Sequence, residues 1–246
     1  MHRFANPTQF MRIANAIYPW AAGLSAIPFL VGLPVALVTS PPDYQQGETV
    51  RIFYIHVSSA WMMMVVYSAM AGGSAAFLIW RHPMANLVAK ASAPMGASFA
   101  ALTLLTGMLW GQPMWGTFWV WDARLTSTLI LFFLYLGYLA LGDAFEDSER
   151  GDKAAAILAL VGSVNLPIIH FSVEWWNTLH QPSIIKMTGF TVDGSILLPL
   201  FLMLGAFTSY YVAVLVLRLR SELLAAKIRN ARMSQVAVNQ AAQPAE

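Results

Sequence analysis

The chain contains no cysteine, and only 11% of its 246 residues are charged. Without cysteine there is no disulfide framework and no thiolate metal site, and no Cys-x-x-Cys-His sequence exists to attach a haem covalently. Charge this sparse is less than half the ~25% usual in soluble domains, which argues against a water-soluble globule. A Gly-rich phosphate loop is missing, so transport driven by the chain's own ATP hydrolysis is excluded, and no serine stands in a recognisable nucleophile motif. No repeat of fixed period is present. Disorder is excluded as well, because 58% of the residues are hydrophobic and 13% aromatic. The net charge of +2 could suggest nucleic acid, but the basic residues are not gathered on one face and instead report topology. No nucleic-acid partner is expected.

What the sequence does have is membrane-spanning length. Mean hydropathy is +0.59, and six uncharged apolar stretches, at 20–38, 52–80, 91–110, 126–144, 154–171 and 195–217, reach the roughly 17–25 residues that a transmembrane helix needs. They predict an all-α membrane protein with six transmembrane helices. Residues 1–219 are expected to form one domain, and 220–246 a mobile cytoplasmic tail with a basic start suited to anionic headgroups. With both termini inside, the cytoplasmic side holds 11 of the 14 Lys and Arg residues, leaving Arg51, Arg124 and Lys186 outside. That bias sets the orientation. No small-residue cleavage site follows a short apolar run, so the first span is expected to stay in the membrane.

Three loops then face the exterior, at 39–51, 111–125 and 172–194, and the unusual residues gather there. Seven of nine tryptophans lie on or near that face. An interfacial belt explains tryptophans shared between both interfaces, but this set is one-sided. The middle loop carries Trp115, Trp119, Trp121, Asp122 and Arg124 in close succession, within a segment spanning 110–127. Gly111, Pro113 and Gly116 are expected to break helix at its start. Asp122 is placed to cap the next span. An aromatic shelf with one guanidinium suits a large flat apolar ligand bearing carboxylates. A packed segment plugging the mouth of the bundle fits the residue types equally well.

Of five histidines, His2 and His82 fall on the inner side beside other charges and read as solvated. His56, His170 and His180 fall in the outer half. An imidazole near membrane depth is costly enough to be a site candidate, and this applies to His56. His170 reads better as an interhelical hydrogen-bonding group. Two neutral imidazoles beside an aromatic shelf fit axial ligation of a haem iron from both faces. Zinc ranks lower, because it needs three or four ligands and the external acids show no such His-rich spacing. Cations for the haem propionates are limited to Arg51, Arg124 and Lys186. The run Met62, Met63, Met64 reads as packing, since successive helical residues point in different directions.

The stretch Trp115 to Ser127 resembles the tryptophan-rich "WWD" segment of haem-handling membrane proteins. Together with Pro42 to Gly47, Tyr54 to Val57, Asn165 to His170 and Glu174 to Gln181, it is similar to the CcmC family, haem exporter protein C of bacterial cytochrome c maturation. The resemblance runs from about the first span to the sixth, and six spans with small loops separate this family from the related cytochrome c synthetases. It implies a bacterial inner-membrane protein, not itself an enzyme, that holds haem b as cargo at its periplasmic face and delivers it to the haem chaperone CcmE. It also implies the ABC-type subunits CcmA and CcmB and the small membrane protein CcmD as partners. Carried onto this chain, the axial ligands are His56 and His180. The haem platform is Trp115, Trp119, Trp121 and Asp122, with Arg51 and Arg124 in the flanking basic positions. Phe118 departs from the pattern, which has tryptophan there; stacking survives and an N–H donor is lost. The rival reading is a b-type membrane cytochrome for quinol-linked electron transfer, which ordinarily carries two haems within the bundle. A permease for a small solute would want polar groups in mid-span, and these spans are nearly bare of charge.

Overall fold

In a computed structural model of the chain, the described residues are 7–181, 185–186, 189–190 and 192–241. They form α1 (Pro7–Pro34), a π turn (Val35–Thr39), α2 (Val50–Trp80), α3 (Pro83–Trp115), α4 (Ala123–Asp143), α5 (Ser148–Gly162), α6 (Asn165–Trp175) and α7 (Gly194–Ala241). A two-residue antiparallel hairpin, β1 (Ile185–Lys186) with β2 (Gly189–Phe190), lies before α7. Among the described residues six helical spans are long and apolar enough to cross a membrane, α5 and α6 serving together as the fifth. The all-α, six-span architecture is therefore as the hydropathy predicts. His2 and Arg3 lie outside the described residues, as do 242–246 of the expected tail.

Several boundaries differ from the sequence reading, each for a local reason. The first span begins at Thr8 and passes Arg12, because one long side chain near a helix end can extend its charge toward the interface. α3 begins at Pro83 and includes Lys90, whose ammonium is held by Asp152 of α5 at 2.8 Å. The expected break at Gly111 and Pro113 does not occur. α3 continues to Trp115, since a proline so close to the end removes a single hydrogen bond, and it stops where Gly116 adopts φ 75° and returns its N–H to the Gln112 carbonyl. α7 continues through Ala241. His82 is not merely solvated: its Nδ1 accepts the Ala85 N–H at 3.2 Å and caps α3.

Lipid tails are as apolar as leucine, so the helices associate through close packing and interhelical hydrogen bonds. α2, α3, α4 and α5 form a ring, while α1 packs on α7 at the side of α2 and α3. Tyr54, Tyr67, Tyr135, Met62, Met63 and Met70 are fully buried in it, so two of the three consecutive methionines are core, as expected. The Tyr135 hydroxyl donates to the Met63 carbonyl at 2.6 Å. Glycines let the large rings in: a Cβ at Gly96 would overlap the Tyr135 ring, and one at Gly162 the Tyr67 hydroxyl. The fifth span is interrupted at Ser163 and Val164, and Pro167 in the first turn of α6 lacks the N–H that would bridge back across the break. Asn165 Nδ2 then donates to the Ser127 carbonyl at 2.8 Å, fixing α6 to α4.

Candidate functional site

A cavity of about 440 Å³ lies inside the ring at the end that carries the loops 40–49, 116–122 and 176–181, hereafter the site end. That volume is in the range of small-molecule and cofactor sites. Its lining is mainly apolar, and the few polar side chains include His56, Arg124, His170 and His180. The two sequence-predicted ligands, His56 from α2 and His180 from the loop after α6, thus share one space.

Each of these imidazoles is held by its Nδ1. His56 Nδ1 lies 3.1 Å from the Thr106 hydroxyl. With its one hydrogen given to the Leu102 carbonyl at 2.7 Å, that hydroxyl accepts from His56 in the Nδ1–H tautomer. Gly107 makes room, since a Cβ there would come within 3.0 Å of His56 Cε1. His180 Nδ1 lies 3.2 Å from Asp122 Oδ2, and both side chains are nearly buried. A carboxylate only accepts, so His180 too carries its proton on Nδ1. In both rings Nε2 is left with its lone pair, the form that binds a metal.

Asp122 serves two neighbours. Oδ1 accepts the Leu125 N–H at 2.7 Å and caps α4, as the sequence predicts, while Oδ2 takes His180. Burial alone would raise the pKa of this carboxyl, but the hydrogen bonds from the His180 ring and the Leu125 N–H outweigh it and hold the group below its ordinary value.

Aromatic rings connect the two histidines. Trp110 packs on His56 with centroids 5.5 Å apart, Trp115 on His180 at 4.8 Å, and the two indoles meet at 6.3 Å. The extra turn of α3 beyond Gly111 is what presents Trp115. Trp119 lines the cavity and its buried Nε1 donor has no partner among the described residues. Trp121 meets Trp119 edge-on at 5.4 Å but is 77% exposed and outside the cavity lining. Phe118 is exposed.

The two predicted cations part company. Arg124 lines the cavity and clamps α4 to α6, donating from Nε to Ser172 Oγ at 2.9 Å and from Nη2 to the His170 carbonyl at 3.2 Å and the Ile169 carbonyl. Its Nη1 makes no hydrogen bond among the described residues. Arg51 is not in the lining; its guanidinium is engaged by Glu48 at 2.7 Å and by the Leu37 carbonyl at 2.7 Å. The interhelical hydrogen bond expected of the His170 ring is not made among the described residues: the ring lies edge-on to Phe171 at 4.7 Å and borders the cavity.

Thr106, Gly107 and Trp110 were not singled out by sequence reasoning as site residues. Their spacing puts them on one face of α3, but only the rotation of that helix against α2 shows that the face meets His56.

A bundle of six spans enclosing at one end a cavity bordered by two imidazoles and aromatic rings is a multi-pass membrane protein, and comparison with known proteins names its family. The model of the heme exporter protein C family matches residues 1–234. Curated relatives with that name include one from Bradyrhizobium diazoefficiens, 51% identical over 232 residues, covering 94% of this chain and 88% of the relative. Another, from Escherichia coli K12, is 43% identical over 236 residues, covering 96% of each chain. A putative cytochrome c biosynthesis ccmC-like mitochondrial protein of Marchantia polymorpha is 50% identical over 181 residues, covering 73% of this chain and 77% of the relative. The chain belongs to the heme exporter protein C family.

Proposed function

We propose that this protein holds haem b as cargo of cytochrome c maturation, with iron between His56 and His180, and presents it to the haem chaperone CcmE. The observation that carries the reading is the matched geometry of the two imidazoles: both border one cavity, and each is engaged at Nδ1, by Thr106 and by Asp122, which leaves Nε2 for an iron. Two nitrogen ligands leave no open position on iron, which favours holding over oxygen chemistry. Trp110, which lines the cavity, offers its ring to the macrocycle, while Trp115, outside the lining, backs His180. Arg124 Nη1 and the Trp119 N–H, neither with a partner among the described residues, are the donors suited to a propionate. Arg51, committed to Glu48 and Leu37, suits a different task, pinning the start of α2.

By the distribution of Lys and Arg the site end faces the periplasm of a bacterial inner membrane, with both termini in the cytoplasm. The covalent step belongs to the partner. This chain orients the cargo, a proximity effect rather than acid or base catalysis, and Trp121, exposed beside the cavity, suits contact with the chaperone. CcmA, CcmB and CcmD complete the complex in which release takes place.

Co-expression with CcmE and haem staining of the chaperone tests this reading. Wild type gives haem-bearing CcmE, whereas His56→Ala and His180→Ala give little. Undiminished staining with both variants would contradict it.

A further inference from the structure

The helix ring around the cavity is closed on one side only in its lower half, away from the site end. There α5 packs against α2, with Gly162 receiving the Tyr67 hydroxyl. Above the break at Ser163 and Val164, α6 turns onto α4 and does not pack along α2. Ala60, Trp61 and Met64 of α2 and Ile169 and His170 of α6 border the gap, and all five line the cavity. Trp61 is 49% exposed and His170 is exposed as well, so cavity and outer surface meet there. Trp61 stands eleven residues into α2, about 17 Å along the helix axis, which is the depth of hydrocarbon rather than of water.

His170 is the unexplained residue of this gap. Its backbone is fixed, because the carbonyl accepts from Arg124 Nη2 at 3.2 Å. Its ring makes no hydrogen bond among the described residues. An ionisable ring inside a membrane span, five residues from its end, with no hydrogen bond among the described residues marks function by default. Nor does it join the other two: among the described residues no three metal-binding side chains cluster closely enough to hold one ion.

We propose that the gap between α2 and α6 is a lateral mouth through which a flat, apolar metal macrocycle passes from the bilayer into the cavity, and that His170 is its first iron ligand there. The proposal rests on the haem-holding reading. The exchange is balanced: the bond from iron to His170 nitrogen breaks as a bond to His56 or His180 nitrogen forms, with no change in electrons or protons. Direction follows from backing. His180 is supported by a carboxylate and His56 by a hydroxyl, whereas the His170 ring has neither, so it is the weakest donor of the three.

The absence of cysteine makes the test clean, because Ala60→Cys introduces a single thiol that can be labelled with a bulky maleimide after folding. Haem-free protein in nanodiscs is mixed with haemin-loaded vesicles, and formation of the low-spin spectrum is timed. His170→Ala slows loading by about tenfold, as for loss of one contact in the rate-limiting step, yet ends at the wild-type spectrum because His56 and His180 are intact. Labelled Ala60→Cys is slowed similarly relative to the same variant unlabelled, whose thermal unfolding matches wild type and establishes its fold. In the His56→Ala, His180→Ala double variant a five-coordinate haem persists and is lost when His170→Ala is added. Wild-type loading rates in both His170→Ala and the labelled protein would overturn the lateral mouth. Failure of wild type itself to form a low-spin haem would instead remove the haem reading beneath it.

Discussion

Thr106 and Asp122 perform one task with different chemistry, a neutral hydroxyl behind His56 and a carboxylate behind His180. Removing such a supporting group typically lowers metal affinity by about 10–100-fold. Thr106→Val, which keeps shape and loses the acceptor, is expected to fall in that range for haem titrated into the purified protein, with Thr106→Ser recovering most of the loss. Asp122→Asn weakens the His180 side and, by leaving that ring less electron-rich, raises the haem reduction potential; an unchanged potential would show that the contact is only structural. The folded Asp122 carboxyl lies below its ordinary value of 3.8. Its contribution is therefore complete above that value and is lost only as pH falls through the lower folded one. The ligand spectrum should stay constant from neutral pH down to about pH 5. At this scale much of the candidate site's geometry was legible. His56, His180, Trp119, Asp122 and Arg124 stand out in sequence once topology sorts residues by side, and the structure brings these five candidates together at one end. Thr106 and Trp110 were not legible, since a threonine and a tryptophan on an apolar helix are ordinary. Arg51 shows the opposite limit: a cation beside a motif is a candidate anion site until a nearby Glu48 is found to occupy it.

Helix packing decides which residues meet. The ring stays narrow because Gly96 and Gly162 admit buried tyrosines, and neither ring has space to retreat. Gly96→Ala is expected to destabilise the bundle by about 1–3 kcal/mol through overpacking, read as a lower unfolding temperature in detergent. Gly116→Ala strains a residue at φ 75° and costs about 1–2 kcal/mol, but its larger effect is on the direction in which the chain leaves Trp115. The six spans were visible in hydropathy because a bilayer demands about 20 apolar residues per crossing. Their ends were not. Lys90 is carried inside α3 by its pairing with Asp152, and Pro113 is tolerated close to a helix end, two facts that depend on partners and position rather than on residue type. The break between α5 and α6 is foreshadowed by Gly162 and Pro167, but not its consequence, that the upper half of the span leaves α2.

For the molecule as a whole, a closed lower ring and an open upper one divide structural work from cargo work. Below, tyrosines, glycines and the Lys90–Asp152 pair hold the spans together. Above, α2, α3, α4 and α6 border a cavity whose polar groups are few. Arg124 does both kinds of work in the upper half, since it clamps α4 to α6 and also lines the cavity. Arg124→Gln should therefore lower both stability and haem retention, whereas Arg51→Gln should lower stability alone; thermal unfolding and haem titration on the same samples separate them. The central claim is that His56 and His180 are the two ligands of one iron. Its most direct test is the visible spectrum of the detergent-purified, haem-supplemented protein, oxidised and reduced, in wild type and in His56→Ala and His180→Ala. The account predicts a six-coordinate low-spin haem b in wild type that becomes five-coordinate and high-spin, or is lost, in each variant. A wild type without bound haem, or a spectrum indifferent to both substitutions, would contradict it.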